Sequence, residues 1–293
     1  MANSIKSSMP PSQGAAVKLR AATYLSPNIP VEFYEMTLNY LEKALNLHTT
    51  LMYESRWEGP PPDRADPFIE NELDLAWMSS TVYLRMLEKG NKYIELLPVS
   101  STHLHPRGED RPGYFADVII HKDLSEKVKE FLDLRGSKWA YNRAESLSGH
   151  IVTLQTLKEL GENASFFGNI LYSGSHLESI RMVINKKADA AAVDANCLAL
   201  FLDRNPCVRD DLKVLSSWGM LTPYPLVVNR RLPDDLKSKI VTTLLDMHKT
   251  REGAQALSEF RVRRFASISL QDFDQEKELI ESTKSLSFDT VYY

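Results

Sequence analysis

From Val17 onward the sequence alternates short runs rich in β-branched and aromatic residues with stretches whose apolar residues recur at helical spacing. That order calls for a mainly parallel sheet with helices packed on its faces. Val17 to Leu25 reads as the first strand, and Ser26-Pro27-Asn28-Ile29-Pro30 breaks it. Tyr34, Leu38, Leu41 and Leu45 then form the stripe of a core-facing helix. Strands over Thr49 to Tyr53, Leu73 to Trp77 and Tyr93 to Val99, with a helix over Thr81 to Glu88, complete a first set. A second set is expected from strand Asp117 to Ile120 through helix Ser125 to Leu134 and strands Lys138 to Tyr141, Asn169 to Tyr172, Ala188 to Val193 and Leu212 to Ser216. The strand Leu226 to Asn229 and the terminal helices return to the first set. This predicts two lobes, residues 17–120 with 225–293 and residues 121–224, and makes Asp117 to Ile120 and Leu226 to Asn229 neighbouring hinge strands. Ligands of open α/β sheets bind beyond the carboxyl ends of the strands, so two facing lobes share one cleft there.

A chain of 293 residues with 43% hydrophobic side chains has enough apolar material for two cores. Its 35 basic and 39 acidic residues leave a formal charge of -4, which provides no global field for nucleic acid or an anionic membrane. Any anion site must therefore be local. Cys197 and Cys207 form no disulfide framework and are too few for a structural zinc site. His103 and His105 alternate without further ligands at metal spacing, so neither a metal nor a cofactor is expected. Residues 1–16, rich in Ser, Pro and Ala, read as a flexible tail, and no apolar run reaches the ~18 residues of a membrane span. These features point to a cytoplasmic protein and do not by themselves call for a permease partner.

Three strand-to-helix turns carry hydroxyls: Ser79-Ser80-Thr81, Ser146-Leu147-Ser148-Gly149 and Ser173-Gly174-Ser175-His176. A helix start exposes unpaired N–H groups and partial positive charge, so such turns either cap their own helices or wrap an oxyanion. Three of them at strand ends facing one cleft favour a site. His176 is either a donor to the same oxyanion or a surface residue at a helix start, and Asp194, between a strand and a helix, is either an N-cap or a cleft acceptor. Trp77 and Tyr224 are among the aromatics at strand ends that line either cleft or core. There is no Gly-x-Ser-x-Gly elbow, P-loop or Gly-x-Gly-x-x-Gly fingerprint.

These blocks resemble a known family. Asp74-Leu75-Ala76-Trp77-Met78-Ser79-Ser80-Thr81-Val82-Tyr83 is similar to the D-I-A-Y-x-G-P-x-x-Y segment of the phosphate, phosphite and phosphonate-binding proteins of ABC transporters. Leu134-Arg135-Gly136-Ser137-Lys138-Trp139-Ala140-Tyr141, running on to Ser146-Leu147-Ser148-Gly149, resembles their L-[KR]-G-K-x-x-A-F and S-T-S-G. Tyr172-Ser173-Gly174-Ser175-His176 and Lys187-Ala188-Asp189-Ala190-Ala191-Ala192-Val193-Asp194 resemble F-S-G-S-H and V-D-A-G-A-V-D. The resemblance implies a type II periplasmic-binding-protein fold with a hinged cleft. It implies that Ser146, Ser148, Gly149 and His176 hold an oxyanion, with Asp194, Trp77, Ser79 and Ser80 shaping the rest. Leu147 replaces the family Thr, Ser79-Ser80 replaces Gly-Pro, and Tyr224 stands before Pro225 where many members have an acid.

The expected function is binding of a small anionic metabolite, phosphonate-, phosphate-ester- or carboxylate-like, without turnover. The alternative is a small-molecule lyase or cofactor-precursor enzyme on the same scaffold.

Overall fold

The computed structural model describes residues 17–288, and the segment read as a tail, 1–16, lies outside them, as do 289–293. The first lobe opens with β1 (Val17–Tyr24), α1 (Val31–Leu45), β2 (Leu47–Glu54), β3 (Leu75–Trp77), α2 (Ser80–Glu88), β4 (Ile94–Leu96) and β5 (Val99–His103). The chain then crosses into β6 (Tyr114–His121), β7 (Lys138–Tyr141), α3 (Val152–Glu159), β8 (Asn169–Tyr172), α4 (His176–Ile184), β9 (Ala190–Asp194), α5 (Ala195–Arg204) and β10 (Leu212–Leu221). It ends with β11 (Leu226–Asn229), α6 (Asp234–Asp246), α7 (Arg251–Ser258), β12 (Val262–Ser267) and α8 (Asp274–Thr283).

Two five-stranded sheets result, ordered β2-β1-β3-β11-β4 and β10-β6-β9-β7-β8, with β12 and β5 forming a separate pair. β1 is parallel to β2 and β3, and β7 is parallel to β8 and β9, as strand-helix-strand crossovers require. β11 and β6 run antiparallel to their neighbours, because each is the strand by which the chain enters its sheet from the other lobe. Phe33, Tyr34, Leu38 and Leu41, the buried residues on the predicted stripe of α1 and beside it, pack on the first sheet. Trp139 anchors the second core, stacked on Phe167 at 4.6 Å between ring centroids.

The structure corrects five expectations. β11 does not lie beside β6: it pairs with β3 and β4, whereas β6 pairs with β10 and β9. The crossings are instead the segments 104–113 and 222–225, and β10 extends to Leu221 because the long antiparallel register with β6 continues to Tyr114. A boundary after 120 therefore cuts the end of β6, which belongs wholly to the second sheet. The strand expected over Tyr93 to Val99 is two strands, since Pro98 has no N–H to give a ladder and the chain turns there to pair with β12. Of the helix expected over Ser125 to Leu134 only a single turn, Phe131–Leu134, forms, a second turn, Lys122–Leu124, lying just before that range. Finally, α8 bridges the lobes: Glu276 is bonded to Ser80 and Thr81 of the first, the helix packs on α3 of the second, and Leu286 and Phe288 join the second core. Phe288 sits edge-on to Tyr141 at 5.2 Å and His150 at 4.8 Å, so burial of its ring carries the C-terminal segment across.

Candidate functional site

The cleft is built from strand ends and the helix starts that follow them. In the second lobe β7 leads through Asn142 to Ser146, which precedes a wide helical turn, Leu147–Ile151, continuous with α3. Ser146 Oγ accepts the Gly149 N–H at 3.2 Å. The neighbouring turn after β8 delivers His176 as the first residue of α4, turned inward and 2% exposed. Its Nε2 lies 3.1 Å from Ser148 Oγ, 3.2 Å from the Asn142 amide and 3.5 Å from Ser146 Oγ. The structure thus brings Ser146, Ser148, Gly149 and His176 into one cluster, although they span 31 positions.

The protons in this cluster can be assigned by donor counting. Burial lowers the His176 pKa to about 3, so the ring is neutral and carries one proton. Its Nδ1 accepts the Asp194 N–H at 3.3 Å, which places that proton on Nε2 and requires the Asn142 amide to turn its otherwise unpartnered oxygen, not its NH2, toward the ring. Ser148 therefore cannot donate to His176, and its own proton is left for another acceptor. Ser146 likewise accepts from Gly149 and keeps a proton to give. The imidazole thus holds the oxygens of both serines without taking their protons. The Gly149 N–H itself is used within the turn, which corrects its expected role as a direct ligand donor. The need for glycine is steric: a Cβ there would lie 2.0 Å from Asn142 Oδ1 and 3.0 Å from His176 Cε1. Gly149→Ala is expected to destabilise the protein by about 1 to 2 kcal/mol through this overpacking, read as a lowered urea midpoint. An unchanged midpoint would show that Asn142 moves aside freely.

Ser173 and Ser175, by contrast, serve the fold. Ser173 Oγ donates to Tyr141 O at 3.0 Å, and Ser175 Oγ caps α4 by accepting the Glu178 N–H at 3.1 Å.

Asp194 ends β9 and caps α5, with Oδ1 accepting from Asn196 N at 2.8 Å and Cys197 N at 3.3 Å. Its Oδ2 accepts from Tyr224 OH at 2.5 Å, and the Asn196 amide donates to that hydroxyl at 2.9 Å. Burial raises the Asp194 pKa to about 6. The capping role and a cleft position therefore coexist, but both carboxylate oxygens already have protein donors. Tyr114 packs against Tyr224 at 4.6 Å with its hydroxyl near Ser148, so it lies between the Asp194 group and the serine turn.

From the first lobe, Trp77 at the end of β3 is 4% exposed and tilts over Tyr34 at 4.9 Å. Trp77, Tyr34, Ser100, Tyr224 and Phe265 line a cavity of about 10 Å³, room for about one water. The lobes meet through apolar contact here, since Leu147, Ile151, Val152 and Leu200 belong to the same core as Leu19 and Phe33. Entry of a ligand requires the lobes to part. Ser79 is buried at the N-cap of α2 without a side-chain capping bond. Ser80 Oγ and Thr81 Oγ1 donate to Glu276 Oε1 at 2.9 and 2.8 Å. Ser80 is thus held by a carboxylate of the chain itself.

Three groups were not singled out from the sequence: Asn142, Glu58 and Glu276. Asn142 lies beside the serine turn, where its proximity was readable in principle. Glu58, 6% exposed, lies between Trp57 and Gly59 at a cavity of about 320 Å³ near Arg85, Arg143 and Glu145, and burial raises its pKa to about 7. Glu276 comes from a helix whose sequence reads as charged and solvated.

Two lobes joined by two crossings, with hydroxyl donors from one and aromatics from the other meeting in the cleft, define a substrate-binding protein of the type II periplasmic class. A family model described as the periplasmic substrate-binding protein of phosphonate ABC transporters matches residues 21–273, and the chain belongs to that family. The phosphonates-binding periplasmic protein of Escherichia coli K12 is 23% identical over 193 residues, 64% of this chain and 54% of the relative. The match therefore spans about half the length of that curated relative. Among solved structures, a binding-protein component of an ABC phosphonate transporter from Pseudomonas aeruginosa superposes with a TM-score of 0.72 at 15% identity, covering 92% of this chain and 87% of that one. PhnD1 of Prochlorococcus marinus in complex with methylphosphonate gives a TM-score of 0.72 at 15% identity, covering 92% and 99%. The expectation of a cytoplasmic protein is overturned by this membership, because the family model and the curated relative are both described as periplasmic. No helix among the described residues is long and apolar enough to cross a membrane.

Proposed function

We propose that this chain binds a small phosphonate, or a phosphate ester of similar size, in the interlobe cleft and releases it unchanged to the permease of an ABC transporter. The observation that carries this reading is the pair of hydroxyl donors on Ser146 and Ser148, fixed by a neutral His176 that cannot take their protons. A phosphonyl group offers several strong acceptor oxygens within the span of one turn, and charge-assisted hydrogen bonds to it are roughly twice as strong as neutral ones. Trp77 and Tyr34 supply an apolar wall for the carbon substituent. We take the moving lobes as residues 17–103 with 226–273 and residues 114–221 with 284–288, α8 bridging them.

The absence of turnover follows from the same donor counting. His176 is held neutral by burial and its acceptor nitrogen is occupied, so it has no basic site with which to activate a nucleophile. Incubating the chain with methylphosphonate and following the ³¹P resonance is expected to show a bound species with one-to-one stoichiometry, and recovery of the compound intact. A new phosphorus product that disappears in a His176→Ala variant would replace this reading with an enzymatic one.

A further inference from the structure

The start of α2 is the first lobe's counterpart of the serine turn, and it is already filled. Glu276, 0% exposed, reaches it from α8, and its Oε1 accepts both the Ser80 and the Thr81 hydroxyl. A hydroxyl has one proton, so neither side chain retains a donor for a ligand; both offer only lone pairs. The second carboxylate oxygen, Oε2, is buried and makes no hydrogen bond. Burial pushes the Glu276 carboxyl up from its ordinary value, while the hydroxyls of Ser80 and Thr81 favour its charged form, and among the described residues no Lys or Arg forms an ion pair with it. The group also lies close to the ligand-binding turn. α8 packs on Leu147–Ile151, and Tyr114, whose hydroxyl lies near Ser148, feels the charge of Glu276 as well as that of Asp194. Glu276 falls just beyond residues 21–273, the part of the chain that the family description covers.

Resting on the functional reading above, we propose that Glu276 is a specificity-determining residue that confines the ligand's anionic group to the Ser146–Ser148 turn and rejects ligands bearing a second anion. It does so in two ways. It removes the donors that a second oxyanion needs at α2, and it sets a negative, acceptor-only surface a short distance from the bound phosphonyl group. In a low-dielectric cleft a like charge placed there is strongly repelled, whereas a neutral substituent or a hydrogen-bond donor is accepted.

Isothermal titration with methylphosphonate and phosphonoacetate distinguishes these cases, the second compound differing by an added carboxylate. The parent chain is expected to bind methylphosphonate at least tenfold more tightly. Glu276→Gln keeps the shape and removes the charge; it is expected to raise phosphonoacetate affinity at least tenfold while methylphosphonate changes by less than about threefold. A second variant, Ser80→Ala with Thr81→Val, leaves the carboxylate in place and is expected to keep methylphosphonate affinity within threefold. Unchanged discrimination in a folded Glu276→Gln chain overturns the proposal, as does a tenfold loss of methylphosphonate binding in the Ser80/Thr81 variant, which would make those hydroxyls ligand donors. A parent chain that binds methylphosphonate and fails these tests sinks this inference alone; one that binds neither compound overturns the functional reading with it.

Discussion

A chain in which Ser146 and Ser148 are both replaced by alanine is expected to bind methylphosphonate at least about 100-fold more weakly than the parent. Each hydroxyl makes one hydrogen bond to a charged oxygen, worth about 1.5 to 3 kcal/mol, and two such losses amount to about 3 kcal/mol or more. The His176 Nε2–H, released from Ser148 in this variant, is the one donor left beside the turn, and Asp194 Oδ2, an acceptor already taken by Tyr224, cannot act as one. The single variants should each show about half of the effect in free energy, unless the remaining hydroxyl turns to compensate. Ser146 also caps its turn through Gly149, so its replacement carries a stability cost of about 1 kcal/mol that Ser148 lacks. Titration calorimetry together with a urea midpoint separates the two. Loss of binding by less than tenfold in the double variant would mean that the turn only caps its helix.

The second large effect concerns pH. Burial raises the Glu58 carboxyl from an ordinary 4.5 to about 7, with Glu145 pushing in the same direction and Arg143 and Arg85 opposing it. A carboxyl whose folded pKa exceeds its unfolded one takes up a proton on folding. Its contribution to stability is fully present below about pH 4.5 and is lost as pH rises through about 7. Asp194, raised to about 6, acts in the same direction over a narrower range. Glu58→Gln removes the larger of the two penalties. Relative to the parent, the variant should therefore gain about 2 to 3 kcal/mol between pH 5 and pH 8. Urea denaturation at the two pH values measures this difference directly. Equal gaps at both would mean that water reaches Glu58 and leaves its carboxyl near its ordinary value.

The sequence disclosed what local pattern determines. The alternation from Val17 placed the sheets and helices, the helical stripe marked the buried face of α1, and the serine turn and His176 were recognisable as one constellation before their distances were known. What escaped depends on contacts between distant residues. Nothing near Leu226 says whether it pairs with β6 or β3, because both registers suit a buried apolar strand, and a strand's partner is settled by the whole sheet. Pro98, in contrast, was a readable break within Tyr93 to Val99. Glu276 was invisible for a different reason. It lies 196 positions from Ser80 on a helix rich in charge, and only its packing shows that it points inward. Tyr224 was legible as a departure from the family pattern; that its hydroxyl is directed at Asp194 was not.

A crystal structure of the chain with methylphosphonate tests the central claim most directly. The account predicts phosphonyl oxygens within hydrogen-bonding distance of the Ser146 and Ser148 hydroxyls, the methyl group toward Trp77 and Tyr34, and Glu276 still bonded to Ser80 and Thr81. A phosphonyl group seated at Ser80 and Thr81 with Glu276 displaced, or bound outside the cleft altogether, would contradict it.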